Sequence, residues 1–254
     1  MKVALTGGAT GIGAETAAKL VAAGHEVTAF DIARPSVAGV TWIACDLSDA
    51  DAIRAAVTQA VGPFDALVNN AGLPPREGMA ELVLRVNFIG LRQFMEAMLD
   101  KLSPGAAIVN TASRAGAGWL ENLDEVKALM ALDPAELAGF VAGRGIDATR
   151  AYNLSKEALI VLTMAETERM VARGFRMNSV SPGAVSTGIL QDFAAAFGER
   201  MARNVARAGR PCTPAEVADL ILFLISPQSA WIKGQDITID GGMSAMAAAD
   251  RLLS

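Results

Sequence analysis

The stretch Thr6-Gly7-Gly8-Ala9-Thr10-Gly11-Ile12-Gly13 decides the fold. It follows a short apolar run, Val3-Ala4-Leu5, and opens a helical pattern over 11–23 that stops at Gly24, where a left-handed C-terminal glycine costs little. Glycines between a strand and a helix permit a tight turn. They also let the backbone approach a pyrophosphate at the helix N-terminus, where free N–H groups and the dipole favour an anion. Gly7, Thr10, Gly11, Ile12 and Gly13 are therefore candidate cofactor-binding residues. On pattern alone an ordinary glycine-rich turn competes with that reading. Asp31 weighs against the ordinary turn, because it ends the next strand pattern 18 residues past Gly13. A carboxylate there accepts hydrogen bonds from an adenosine ribose and repels a 2′-phosphate, which selects NAD over NADP. Arg34, three residues on, pulls the other way.

Outward from this stretch, short β-rich runs alternate with longer helical ones. Strands are expected at 3–6, 27–31, 40–45, 66–69, 107–111, 177–181 and 237–240. Ser48-Asp49-Ala50-Asp51 announces one helix, and Thr213-Pro214-Ala215-Glu216 announces another with a capping box and proline at its first position. Nearly all-apolar strands separated by helices mean a parallel sheet covered on both faces. The expectation is an α/β chain: one domain over 1–254 built on a Rossmann-type doubly wound sheet of about seven strands. Two regions interrupt the alternation. Residues 116–150 hold one or two inserted helices, and 187–210 an apolar-basic helix after a strand end. Ligands of open α/β sheets bind beyond the carboxyl ends of strands, where both regions lie.

Composition removes other classes. The chain has 254 residues, 52% hydrophobic and 19% charged, which is globular and not disordered. A net charge of −5 and a pI near 5.0 argue against nucleic acid as a partner. Cys45 and Cys212 form no C-x-x-C pair, and a single histidine, His25, in a helix–strand turn leaves no His-rich metal site. No apolar run reaches a membrane span of roughly 18 residues, and the start MKVALTGG reads as a strand and not a signal peptide. A cytoplasmic protein with neither metal nor membrane partner is expected.

The only tyrosine, Tyr152, stands four residues before Lys156, so both side chains share a helix face. A phenol of pKa about 10 must move toward neutrality to trade protons with an alcohol. A cation about 4 Å away at an effective dielectric near 20 contributes about 4 kcal/mol, or roughly three pKa units. Ser113, after the strand at 107–111, would hold the substrate oxygen, and Asn87 would link Lys156 to solvent. Alone, each is more often a turn or backbone-bonding residue; together and in order they are candidate catalytic residues.

Taken jointly, Thr6-Gly-x-x-x-Gly11-Ile12-Gly13, Asn69-Asn70-Ala71-Gly72, Asn87, Ser113, Tyr152-x-x-x-Lys156, Pro182-Gly183 with Thr187, and Asp240-Gly241-Gly242 resemble the short-chain dehydrogenase/reductase family. The resemblance implies that Tyr152 is the acid/base, that Ser113 positions the substrate oxygen, and that Lys156 grips the nicotinamide ribose and lowers the phenol pKa. Asn87 then completes a proton relay. It further implies that Asp46 and Leu47 flank the adenine, that Asn70, Ala71 and Gly72 line the cofactor cleft beside Pro182 and Gly183, and that Val185 and Thr187 hold the carboxamide or phosphates.

One departure from the family pattern is informative. Ser113 and Tyr152 stand 39 residues apart, so 116–150 is an insertion, and the stretch from Gly72 to Asn87 is shortened. Within the family this looks most like the bacterial 3α-hydroxysteroid dehydrogenase/carbonyl reductase and coniferyl alcohol dehydrogenase group. The implied reaction interconverts an alcohol and its carbonyl on a bulky apolar substrate, with Trp119, Leu190, Phe193, Phe197, Met243 and Met246 as its apolar wall. A homodimer or homotetramer is expected. The competing reading is a non-catalytic NAD(H)-binding scaffold or sensor, which would need no serine facing the phenol.

Overall fold

The computed structural model describes residues 1–253. Seven parallel strands, β1 (Lys2–Thr6), β2 (Glu26–Asp31), β3 (Val40–Ala44), β4 (Phe64–Asn69), β5 (Leu102–Thr111), β6 (Arg176–Pro182) and β7 (Asp236–Ile239), form one sheet in the order β3-β2-β1-β4-β5-β6-β7. The expected strands are all present, and β5 starts earlier than its apolar run because Leu102 pairs with Phe64 ahead of a register shift. Strand alternation explains why both faces are covered. Val3, Leu5, Ala66, Val68, Ala107 and Val109 point into one apolar layer, while Ala4, Leu67 and Ile108 point into the other.

On the first face lie α1 (Gly11–Ala22) and α10 (Pro214–Ile225), which pack on each other through Leu20, Val217 and Ile221. On the second lie α2 (Ala50–Gln59), α3 (Ala80–Leu84), α4 (Leu91–Met98) and α7 (Ala148–Ala165). The capping box read from Thr213 and Glu216 is formed, with Pro214 at the first helical position. A buried amide chain ties α7 to the sheet. Asn69 Nδ2 donates to Asn110 Oδ1 at 2.9 Å, and Asn110 Nδ2 donates to Thr163 Oγ1 at 3.0 Å.

The region 116–150 contains two helices, α5 (Leu123–Ala131) and α6 (Leu137–Arg144), and then the start of α7, capped by Asp147 on the Arg150 N–H at 2.7 Å. A short α8 (Thr167–Ala172) leads to β6. The region 187–210 is α9 (Leu190–Ala208), broken at Gly198, whose φ of 50° and ψ of −136° no helix contains. The chain ends in α11 (Met243–Leu252), which the periodicity reading left out. No helix among the described residues is long and apolar enough to cross a membrane.

Candidate active site

Where β1 and β4 part to opposite sides of the sheet order, a cavity of about 710 Å³ opens beyond the strand ends. Its floor is the glycine turn. Gly7 and Gly11 hold positive φ of 71° and 57°, and a Cβ at Gly13 would stand 1.8 Å from the Gly7 carbonyl oxygen. Gly13 itself is absent from the lining: it lets α1 close on the turn. Thr10 caps α1 without a side-chain hydrogen bond, so the first-turn N–H groups face the cavity without a side-chain acceptor. That is the arrangement a pyrophosphate requires.

Asp31 ends β2 at the far side of this floor. Its Oδ2 accepts the Ala9 N–H at 2.9 Å and its Oδ1 the Ala33 N–H at 2.9 Å, which fixes the carboxylate at the cavity edge. Arg34 lies over the Trp42 ring, 5.3 Å from its centroid, and is not part of the lining. Asp46 and Leu47 continue the wall, Asp46 holding the Ser48 N–H at 2.8 Å. Asn70, Ala71 and Gly72 follow from β4: Thr6 Oγ1 accepts the N–H groups of Asn70 and Ala71, and Asn70 Nδ2 donates to the Gly7 carbonyl. Pro182, Gly183, Val185 and Thr187 form the opposite bank after β6.

The reactive end is set by α7. Tyr152 and Lys156 are 7% and 4% exposed, and Ser113 lines the same end of the cavity, with its hydroxyl near enough to the phenol to pull its pKa down. Lys156 Nζ donates to the Thr111 carbonyl at 2.8 Å and stands 5.7 Å from the phenol centroid. Burial pushes the phenol up to about 12 against the lowering pull of Ser113, and burial brings the ammonium down to about 8. This corrects the expected lowering of the phenol by Lys156. Desolvation of the phenolate outweighs the pull of Ser113, and Lys156 is not among the groups that set this value.

Asn87 is wholly buried in a π-helical turn, Arg85–Gly90, between α3 and α4. A single π turn widens the helix by one residue and marks functional positions. Its amide bonds the Leu73 backbone, with Oδ1 accepting at 2.7 Å and Nδ2 donating at 3.0 Å, and Nδ2 also donates to Ser155 Oγ on α7 at 3.4 Å; the side chain lies behind Gly72 and outside the lining.

Leu190, Phe193, Phe197 and Met243 do line the cavity, and Phe193 meets the Tyr152 ring edge-on at 5.1 Å between centroids. Trp119 and Met246 do not. Trp119 packs against the interior apolar layer, and Met246 lies on α11 away from the opening. Two arginines that the sequence reading passed over also line the cavity, each with a carboxylate. Arg76 forms paired bonds of 3.0 Å to Asp192 at the start of α9, and Arg114 lies 3.2 Å from Asp240. Their partners are 116 and 126 positions away in sequence, so no local pattern could have shown them. Among the described residues no group of three or more His, Cys, Asp or Glu could hold a metal.

Comparison with known proteins identifies the family. Residues 1–122 match the short chain dehydrogenase model and 136–244 match the model described as enoyl-(acyl carrier protein) reductase. A coniferyl-alcohol dehydrogenase of Pseudomonas sp. is 36% identical, and the 3-alpha-hydroxysteroid dehydrogenase/carbonyl reductase of Comamonas testosteroni is 32% identical, each over 96% of both chains. The crystal structure of a 3-alpha-hydroxysteroid dehydrogenase from Pseudomonas sp., complexed with NADH, superposes with a TM-score of 0.86 at 33% identity, covering 98% of this chain and 99% of that one. The chain belongs to the short-chain dehydrogenase/reductase family and is an oxidoreductase of that class.

Proposed function

We propose that the protein is an NAD(H)-dependent alcohol dehydrogenase or carbonyl reductase acting on a bulky, apolar steroid, aryl or cyclic substrate. The observation that carries this is the meeting of Ser113, Tyr152 and Lys156 at the buried end of a cavity whose other end is a side-chain-uncapped helix N-terminus bounded by Asp31. The glycine turn, the free N–H groups of α1 and Asp31 fit a dinucleotide without a 2′-phosphate. Such a cofactor, when bound, gives or accepts the hydride.

The residues supply the rest. Tyr152 gives its hydroxyl proton to the carbonyl oxygen in reduction and takes it back in oxidation. Ser113 donates to the same oxygen and holds it in line. Lys156, fixed by Thr111, places a positive charge beside the phenol and stabilises the phenolate when the proton leaves. Asn87 shapes the proton route behind Gly72. Phe193, Phe197, Leu190 and Met243 wall the substrate end and exclude water. Arg76 and Arg114 are each neutralised by a carboxylate, which favours uncharged substrates. The four-residue spacing of Tyr152 and Lys156 favours carbonyl over enoyl reduction. Self-association as a homodimer or homotetramer in the cytoplasm completes the proposal.

The test is initial-rate nicotinamide absorbance over a panel of steroid, cinnamyl-type and cyclic alcohols with NAD and with NADP. Tyr152→Phe is expected to lower kcat by about 10²–10⁴-fold while NADH still binds, as loss of a general acid/base does. Full activity in that variant would sink the mechanism.

A further inference from the structure

Glu157 follows Lys156 directly on α7, yet it faces away from the cavity. At 100° per residue, positions 150 and 157 share one side of the helix, and 152 and 156 lie on the other. The Glu157 side chain is 2% exposed. Oε1 accepts from Arg150 Nη1 at 2.9 Å and from Asn122 Nδ2 at 2.9 Å, while Oε2 accepts from Arg150 Nη2 at 2.7 Å. Arg150 in turn donates through Nε to Glu125 Oε2 at 2.9 Å. A buried ion pair of this kind adds little net stability over apolar packing, because desolvation offsets the attraction. Stability is therefore a weak account of it.

What the network joins is more telling. From Ser113 the chain runs to Asn122 through successive turn bonds: Gly116 N–H to Ser113 O at 2.8 Å, Trp119 N–H to Gly116 O at 3.2 Å, and Asn122 N–H to Gly118 O at 3.2 Å. The Asn122 amide holds the Gly118 carbonyl at 3.0 Å as well as Glu157. This segment lies directly on α7. A Cβ at Gly116 would stand 2.7 Å from the Lys156 carbonyl carbon, and one at Gly118 would stand 3.3 Å from Glu157 Oε1. The segment that carries Ser113 thus has no slack against the helix that carries Tyr152.

We propose that Glu157, with Arg150 and Asn122, is a positioning unit that holds Ser113 in place opposite Tyr152 by fastening the start of the 116–150 insertion to the back of α7. The inference rests on the reading of Ser113 and Tyr152 as the catalytic pair. A displacement of about 1 Å at reacting groups can cost about 10²-fold in rate, so a clamp acting through two side chains is enough to matter.

The chain's only tyrosine permits a readout independent of turnover. Protein carrying ¹³C at the tyrosine Cζ gives a single resonance, whose position reports hydrogen bonding at the Tyr152 hydroxyl. Ser113→Ala defines the shift for loss of the Ser113 hydroxyl. Glu157→Gln, which keeps shape and removes charge, is expected to move the resonance in the same direction, and the double variant no further than Ser113→Ala alone, as coupled sites behave. With an alcohol substrate, the same variant lowers kcat about tenfold, with KM and NADH affinity unchanged. A resonance that coincides with wild type in folded Glu157→Gln overturns the proposal. If that variant fails to fold, Asn122→Ala, which leaves the ion pair intact, is expected to give a smaller displacement in the same direction, and no displacement there overturns it equally. Wild-type silence on every alcohol would count against the proposed reaction only, because the resonance still decides the positioning.

Discussion

At the scale of single residues, burial governs Tyr152 and Lys156, the proposed acid–base pair. Lys156 holds a folded-state pKa of about 8 against an ordinary 10.5, so between those values the unfolded chain binds a proton that the folded chain has released. Folding then becomes more favourable as pH rises from 8 to 10.5, and below pH 8 the full penalty applies, about 3 kcal/mol at 1.36 per unit. Lys156→Met is therefore expected to melt higher than wild type at pH 7 and to lose that advantage near pH 10, as thermal unfolding at the two pH values would show. Tyr152 works with the opposite sign at higher pH. Its folded-state value of about 12 keeps a proton that the unfolded chain loses from 10 upward, so stability falls across that window. That Tyr152, Lys156 and Ser113 meet in one cavity was legible in the sequence, because the proposed chemistry calls for those types at that spacing. The direction of the phenol shift was not, since desolvation depends on how completely α7 is covered.

At the scale of elements, the sequence was most legible where a local rule sets the outcome. The α10 capping box needs only four consecutive residues. Glu216 accepts the Thr213 N–H at 2.8 Å and Thr213 Oγ1 accepts the Glu216 N–H at 3.3 Å, so Thr213→Ala is expected to cost about 1 kcal/mol. For a chain of this size that is a fall in Tm of roughly 2–4 °C, measurable by differential scanning. The short apolar strands bounded by glycine were equally plain. The π turn around Asn87 and the break at Gly198 were not: one inserted residue leaves the apolar period almost unchanged, and a glycine within a helical pattern reads as tolerated. Glu157 looked like any helical glutamate, because Asn122 reaches it, and Glu125 reaches its partner Arg150, only after α5 has folded back onto α7.

At the scale of the whole molecule, the sheet brings together the glycine turn that fits a dinucleotide, from the first half of the chain, and the helix that carries the proposed acid–base pair, from the second. Binding at that junction should stabilise both halves at once. At a hundredfold excess over its Kd, NADH is expected to add about 2.7 kcal/mol, a rise of roughly 5–10 °C in Tm, with a smaller rise from NADPH. Asp31→Ser should narrow the gap between the two, and equal shifts with wild type would contradict selection by that carboxylate. The two banks of the cavity are also laced together at the mouth, where Arg76 after β4 grips Asp192 on α9 across half-exposed surface. Traffic that passes between these banks would part that pair, and dissolved ions screen it over about 10 Å at 0.1 M. Ionic strength thus becomes a throttle on residence time: where release limits turnover, kcat should climb with added salt, and Arg76→Ala should run fast and indifferent to it.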